Sequence, residues 1–416
     1  MKRKVIDLKF PIYFSRKIAT AKDTKNNLSR VIVFIGRLSV ALGIIVSLIT
    51  VSTGLGSKKA IKSSLSDFSG EITIKSNRSN SSYNSTVLEQ EGLKLNQIKN
   101  LPQVRNVQSF VNTNGILRTE DNFAGIIFKG VGDDFQRDNF KKFLVSGDVP
   151  KFSDKEVTND VLLSQKIAND LHKKLNDSVV AIFSKENEKP VYRKFKIAGI
   201  YKTDIKMLDD LYVIGGIKHA RRIQGFEDKQ VGGLEVYLKD VEDIDSAFPQ
   251  IENLIGYKNY AEKITDRFPQ IVDWINLFDT NIGLIIAIML LVVVINIIMV
   301  LLILIIERTN SIGLLKTMGA TNQQIRAIFI NYTVIIMIPG LIAGNVIGIG
   351  LLLIQQFFGV ISLNPENYYV SKVPVDLNPV YIIGISAGIL LVSAISLILP
   401  SYLISKISPV KSIKYS

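Results

Sequence analysis

The chain contains one pattern typical of a catalytic serine, Gly384-Ile-Ser-Ala-Gly388, which has the G-x-S-x-G form of a nucleophile elbow. In such enzymes a strand–turn–helix exposes the serine, and a nearby histidine takes its proton. Here the motif lies inside an apolar run. Gly384 and Gly388 are therefore better explained as a small-xxx-small face for helix packing than as parts of a catalytic site.

The two histidines of the chain do not indicate a catalytic or metal site. His172 and His219 each lie among lysines or arginines on a predicted helix, where we expect solvated surface side chains. No His, Asp and Glu cluster has the spacing of metal ligands, and the chain has no cysteine. The sequence predicts no catalytic residue, no metal and no cofactor in this chain.

A phosphate-binding loop is also missing from the sequence. The nearest glycine-rich segment with a lysine, Gly54-Leu-Gly-Ser-Lys58, lacks the G-x-x-x-x-G-K-[ST] form. If ATP drives this protein, we therefore expect ATP and Mg to bind to another polypeptide.

A short polar segment between two apolar runs, 307–325, has the features of a small rigid helix that a partner protein could contact. Gly319 is typical of the residue that follows the end of a helix. Thr321 and Gln324 predict a capping box that starts the next helix. Its apolar residues recur at i, i+3 and i+6: Ile312, Leu315 and Met318. From these residues alone, a docking helix and an ordinary tight loop both remain open.

Four apolar runs without Lys, Arg, Asp or Glu dominate the rest of the chain: Leu38–Leu55, Ile282–Ile306, Ile328–Ile354 and Val380–Pro400. A helix needs about 20 residues to cross the hydrocarbon layer, and Arg37 at the edge of the first run can snorkel and lengthen it. We predict transmembrane helices over residues 31–55, 280–306, 328–354 and 380–404.

The distribution of Lys and Arg predicts the orientation of these helices. Basic residues are concentrated in segments 1–30, 307–327 and 405–416, whereas the 355–379 loop has only Lys372. We therefore expect both termini and the 307–327 segment in the cytoplasm, and 56–279 and 355–379 on the other side. The net charge of +13 is partly this bias, and no nucleic-acid-binding motif accompanies it.

The segment 56–279 is long enough for a large extracytoplasmic domain between the first two membrane helices. Strand-like and helix-like stretches alternate in it, which indicates an α+β fold. The predicted strands are Glu71–Lys75, Val104–Val111, Phe123–Val131, Ser178–Phe183, Lys194–Tyr201 and Gly233–Leu238. The predicted helices are Leu88–Asn100, Ser164–Leu175, Ile217–Ile223 and Val241–Leu254.

The third membrane helix contains three glycines four residues apart: Gly340, Gly344 and Gly348. Small residues at this spacing let helices pack closely in lipid, where the hydrophobic effect does not drive association. Pro339 is expected to kink the same helix.

One membrane helix, a large outer domain and three further helices is a layout that resembles the permease family of lipoprotein-releasing subunits, the macrolide exporter MacB and the cell-division permease FtsX. Glu307-Arg308, Ile312–Lys316 and Met318–Thr321 are similar to that family's cytoplasmic coupling segment, which docks on an ABC ATPase. The resemblance implies a MacB-like periplasmic core domain. It also implies these coupling residues: Glu307, Ile312, Gly313, Leu314, Leu315, Lys316, Met318, Gly319 and Thr321.

Other stretches resemble the lipoprotein-releasing permeases of the LolC and LolE type within this family. They are Val51–Leu55, Gly70–Ile74, Pro365–Tyr369, Val373–Val375, Leu399–Ser401 and Pro409-Val410. The place of the hairpin by which one subunit type recruits a carrier, Phe183–Arg193, is short here. Both the subunit type and the binding of a periplasmic carrier chaperone stay open.

The resemblance implies a permease subunit of an inner-membrane ABC transporter that extracts lipoproteins for transfer towards the outer membrane. Its partners would be a LolD-like ABC ATPase, a second identical or related permease and the lipoprotein cargo. The cavity for the acyl chains would lie on the first two membrane helices, at Val40, Ile44, Leu48, Ile285 and Met289. The alternatives are an efflux permease and an FtsX-like signalling subunit that controls a wall hydrolase.

Overall fold

The computed structural model describes residues 13, 15, 27–79, 83–184 and 189–406, and the chain divides into two compact units. The helical unit comprises 1–57, 275–361 and 373–416, and the sheet unit comprises 58–274 and 362–372. Most of the predicted cytoplasmic segments 1–30 and 405–416 lies outside the described residues.

From residue 27 onwards, fifteen α-helices are described. They are α1 (Asn27–Ser69), α2 (Leu95–Lys99), α3 (Arg137–Phe140), α4 (Gln165–Asp170), α5 (Lys206–Asp209), α6 (Ile217–Gln224), α7 (Ile244–Glu252), α8 (Ile264–Arg267), α9 (Pro269–Glu307), α10 (Thr309–Thr317), α11 (Asn322–Phe358), α12 (Pro365–Tyr368), α13 (Pro379–Ser396), α14 (Ile398–Ser401) and α15 (Leu403–Lys406). Four of them, α1, α9, α11 and α13, are long and apolar enough to cross a membrane.

The strands of the sheet unit form one mixed sheet of ten strands. They are β1 (Ile72–Ser76), β2 (Val104–Arg118), β3 (Phe123–Val131), β4 (Leu144–Gly147), β5 (Asp160–Ser164), β6 (Ser178–Phe183), β7 (Val191–Tyr201), β8 (Tyr212–Gly216), β9 (Gly233–Leu238) and β10 (Asn259–Lys263). The order is β10-β1-β9-β2-β3-β8-β5-β7-β4, and β6 pairs with β2 and β7. The pairs β3–β8 and β5–β7 are parallel.

Helix α1 continues well beyond residue 55, where the sequence predicts its end. The apolar run stops there, but Ile61, Leu65 and Phe68 continue a helical face at i, i+4 and i+7 and are buried. Phe68 packs against Phe140 and Tyr212 inside the sheet unit. A change from an all-apolar helix to an amphipathic one therefore explains the missed length.

The glycines of α11 lie against the backbone of α1 in the helical unit. A Cβ on Gly344 would lie 2.8 Å from the carbonyl oxygen of Ala41, and one on Gly340 would clash with the carbonyl of Arg37. A Cβ on Gly348 would lie 3.2 Å from Cδ1 of Leu48. Only residues without a side chain allow the two helices to approach so closely.

A second glycine seam, which the sequence reasoning missed, lies between α1 and α9. A Cβ on Gly36 would lie 2.9 Å from Cγ2 of Val300, and one on Gly43 would clash with Val293. The two glycines are seven residues apart, which is the spacing of two helical turns. This spacing in the sequence could have predicted that the two glycines share a packing face.

A buried ion pair fixes the end of α1 to the sheet. The Lys129 ammonium donates to the Glu235 carboxylate at 2.7 Å and to the backbone carbonyl of Phe68 at 2.8 Å, and both charged side chains are almost fully buried. Gln108 and the Tyr237 hydroxyl donate to the other Glu235 oxygen. Burial lowers the pKa of Lys129, and the Glu235 charge opposes that shift.

His219 is a correction to the sequence analysis. It lies in α6, but its side chain is buried and meets the Phe195 ring edge to face at 5.0 Å. Burial lowers the pKa of His219, so the neutral imidazole is favoured. The neighbouring Lys and Arg residues concealed that this position lies on the inner face of the helix.

The α1–α11 seam generates a stability prediction. Gly344→Leu places a side chain against the backbone of α1, so we expect the unfolding free energy of the full chain in detergent to fall by about 1–3 kcal/mol. The matched control is Gly350→Leu in the same helix, because a Cβ there would meet no heavy atom within 4 Å. Equal thermal unfolding curves for the two variants would contradict the close packing of α11 against α1 at Gly344.

The buried pair generates a second stability prediction. Lys129→Met leaves the Glu235 carboxylate buried without its cation, which should cost about 3–5 kcal/mol. The double variant Lys129→Met/Glu235→Gln removes both charges, and we expect it to regain most of that loss. Chemical denaturation of the four proteins of this cycle measures the coupling, and additive effects would show that the two groups are independent.

Candidate functional site

The short helix α10 is held between α9 and α11 by defined ends. Gly319 follows it with a φ of +92°, a conformation that favours glycine. The Thr321 hydroxyl accepts from the Gln324 amide, and the Thr321 amide donates to the Gln324 side chain at 3.0 Å. The capping box that the sequence predicts is therefore present, and it starts α11.

The apolar residues of α10 do not share one exposed face. Ile312 is fully buried in a cluster with Ile325 and Leu397, whereas Leu314 is 60% and Met318 is 77% exposed. Ile312 and Met318 do not share a face, because positions i and i+6 are about 120° apart around a helix, and a coupling role for the buried Ile312 stays a prediction. Leu314 and Met318, at i and i+4, form the exposed apolar pair instead.

The other predicted coupling residues have mixed positions. Gly313 is buried, Leu315 is half-buried against the apolar cluster, and Glu307 is half-buried at the end of α9. A small pocket of about 250 Å³ lies beside α10, between it and α11. It is lined by Arg308, Ser311, Ile312, Leu315, Ile328, Phe329 and Tyr332.

Lys316 contacts the end of the described chain. Its ammonium group donates to the carbonyl of Ile404 at 2.8 Å, and the Arg326 guanidinium lies 3.9 Å from the centre of the Tyr402 ring. Burial lowers the pKa of Lys316. The sequence reasoning treated Lys316 only as a coupling residue and missed this contact.

A groove of about 520 Å³ lies between α1, α9 and α13 in the helical unit, and its walls are almost entirely apolar. Its lining residues are Ser47, Val51, Leu55, Ile282, Ile286, Leu290, Val380, Tyr381, Gly384, Ile385, Gly388, Ile389 and Val392. The Ser47 hydroxyl is buried, and no described residue forms a hydrogen bond with it.

Gly384 and Gly388 do not pack against another helix of this chain. A Cβ on either one would meet no described heavy atom within 4 Å, and both face the groove. Their packing role within the described chain is therefore not seen, and packing against another subunit stays a prediction. Between them, the Ser386 hydroxyl donates to the Asn345 side chain at 3.0 Å. The serine of the G-x-S-x-G pattern thus joins α13 to α11.

The residues predicted for the acyl-chain cavity lie elsewhere. Val40, Ile44 and Leu48 are fully buried, and the glycine seam of α11 packs against the last two. Ile285 and Met289 are half-buried and are not among the residues lining the groove. The sequence could not separate the faces of α1, since nearly every position in this part of the helix is apolar.

A hairpin between α11 and α13 belongs to the sheet unit. It contains α12, and Ser371 donates its backbone N–H to Asp204 at 3.2 Å. The Trp274 ring meets Tyr369 edge to face at 5.3 Å. The Pro365–Tyr369 stretch, which resembles the second outer loop of lipoprotein-releasing permeases, therefore packs on the domain.

The place of the carrier-recruiting hairpin is short in the described part of the structure. β6 and β7 pair directly up to Phe183 and Val191. Residues 185–188 of their connection lie outside the described residues. Within the described ranges, no group of three His, Asp or Glu side chains could hold a metal ion.

Comparisons with known proteins agree with this architecture. Residues 37–254 match the MacB-like periplasmic core domain, and residues 283–409 match the FtsX-like permease C-terminal domain. The lipoprotein-releasing system transmembrane protein LolC of Buchnera aphidicola is 22% identical over 92% of this chain and 93% of its own length. LolE of Haemophilus influenzae is 21% identical over 74% of this chain and 77% of its own.

Among solved structures, the periplasmic region of MacB from Actinobacillus actinomycetemcomitans matches 49% of this chain and 92% of its own. The TM-score is 0.33 and the identity is 16%.

These matches confirm the predicted fold class, a helical membrane protein with four membrane helices and a large α+β periplasmic domain between the first two. The chain is a permease subunit and not itself an enzyme. The match to the core domain covers more than half of the residues of this chain. The chain therefore belongs to the family of permeases with a MacB-like periplasmic core domain.

Proposed function

We propose that this chain is the permease subunit of an ABC transporter that releases lipoproteins from the inner membrane. The LolC and LolE relatives along most of its length support the transporter class. The observation that carries the cargo class is the apolar groove between α1, α9 and α13, which is open at its side.

In this proposal the groove takes an acyl chain of the lipoprotein. Its walls offer apolar side chains from all three helices, and Gly384 and Gly388 of α13 leave room between them. Ser47 contributes to the groove wall from α1, with its hydroxyl oxygen buried. Each CH₂ that leaves the bilayer costs about 0.8 kcal/mol, so extraction requires an energy source.

That energy comes from a separate LolD-like ABC ATPase, which binds ATP and Mg and contacts α10. A second permease, identical or related, completes the transporter. Both termini and α10 then face the cytoplasm, and the sheet unit faces the periplasm of the inner membrane, as the basic residues of the flanks suggest. A periplasmic carrier receives the released lipoprotein.

The exposed pair on α10 allows a direct test of ATPase coupling. Leu314→Asp and Met318→Asp each put a charge into an apolar contact without disturbing the buried Ile312. We expect ATPase binding to fall at least tenfold and lipoprotein-stimulated ATP hydrolysis to be lost in reconstituted vesicles. Val360→Asp is the matched control, since Val360 is equally exposed but follows the other end of α11. Full stimulation in both α10 variants would remove the docking role.

The groove has its own test. Gly388→Leu fills the groove without a steric clash, because a Cβ there meets open space. We expect ATP-dependent release of a triacylated lipoprotein from proteoliposomes to fall at least fivefold, while ATPase binding is retained. Gly350→Leu, on α11 outside the groove, should release lipoprotein normally. Equal release by both variants would exclude this groove as the acyl-chain site.

A further inference from the structure

The last turns of the described chain fold back onto the coupling region. After α13, the fully buried Leu397 leads into α14 and α15. Ile404 of α15 is also fully buried, in the same apolar cluster as Ile312 of α10 and Ile325 of α11. These short helices are therefore an ordered part of the helical unit.

Two cationic side chains hold this segment in place. Lys316 of α10 donates to the Ile404 carbonyl of α15. Arg326, at the start of α11, stacks on the Tyr402 ring. One contact thus comes from α10 and the other from α11, on either side of the capped turn that joins them.

The outer side of the segment is apolar and exposed. Tyr402 is 55% and Leu403 is 45% exposed, and Leu314 and Met318 of α10 are exposed too. Glu307, Arg308, Lys316 and Arg326 give this region a net positive charge. Such a surface fits a partner that offers an apolar groove with an acidic rim.

We propose that α14 and α15 form the second part of the ATPase-binding surface, next to α10, with Lys316 and Arg326 as positioning residues. The proposal rests on the proposed function, in which α10 contacts the ATPase. The Lys316–Ile404 bond makes the two parts continuous, and this continuity favours the ATPase over the membrane surface as the occupant.

The test compares ATPase binding of full-length variants in detergent and in vesicles. Leu403→Asp should weaken binding of the ATPase at least tenfold, whereas Val360→Asp should not. Lys316→Met should weaken it to a smaller extent, and Lys316→Arg should restore it, because the guanidinium also donates to a carbonyl. Thermal unfolding of each variant verifies that the helical unit is intact.

The outcomes separate this inference from the proposed function. If Leu314→Asp abolishes binding but Leu403→Asp retains it, α10 alone is the ATPase site and the inference is wrong. If both variants retain binding, the proposed contact of α10 with the ATPase is wrong as well. If Leu403→Asp weakens ATPase binding in vesicles but not in detergent, Leu403 is a lipid contact and the inference is overturned.

Discussion

The close approach of α11 to α1 is the contact on which the helical unit depends. In lipid no hydrophobic gain draws apolar helices together, so their packing must come from close van der Waals contact. Gly340 and Gly344 of α11 allow this approach because they place no side chain between the backbones of the two helices. Arg37 adds a hydrogen bond to the carbonyl of Ile336, one turn before Pro339.

This seam determines what the other faces of α1 can do. Val40, Ile44 and Leu48 lie in the buried core, and Gly36 and Gly43 pack against α9. Ser47 and Val51 remain to line the groove. Different positions along an apolar helix thus have different roles, each defined by what packs against them.

The sequence was informative wherever a local pattern has one physical meaning. It predicted the four membrane helices, the capping box at Thr321 and most strands of the sheet. It missed β4, β5, β8 and β10; β4 and β8 end in glycine, and β10 is largely polar. It also treated Gly344 and Gly388 alike, although only Gly344 has a helix opposite. Spacing identifies a face, but the partner of that face is set by tertiary packing.

The groove and the coupling surface are joined by two of the three groove walls. Ile282, Ile286 and Leu290 line the groove from α9, and α9 leads into α10 through the single residue Arg308. The other wall, α13, leads into α14 and α15 through Leu397. Coupling between two sites needs a contiguous element that both can bias. In the proposed function, the Lys316–Ile404 bond joins α10 to α15, so a movement of α10 imposed by the ATPase would act on both α9 and α13.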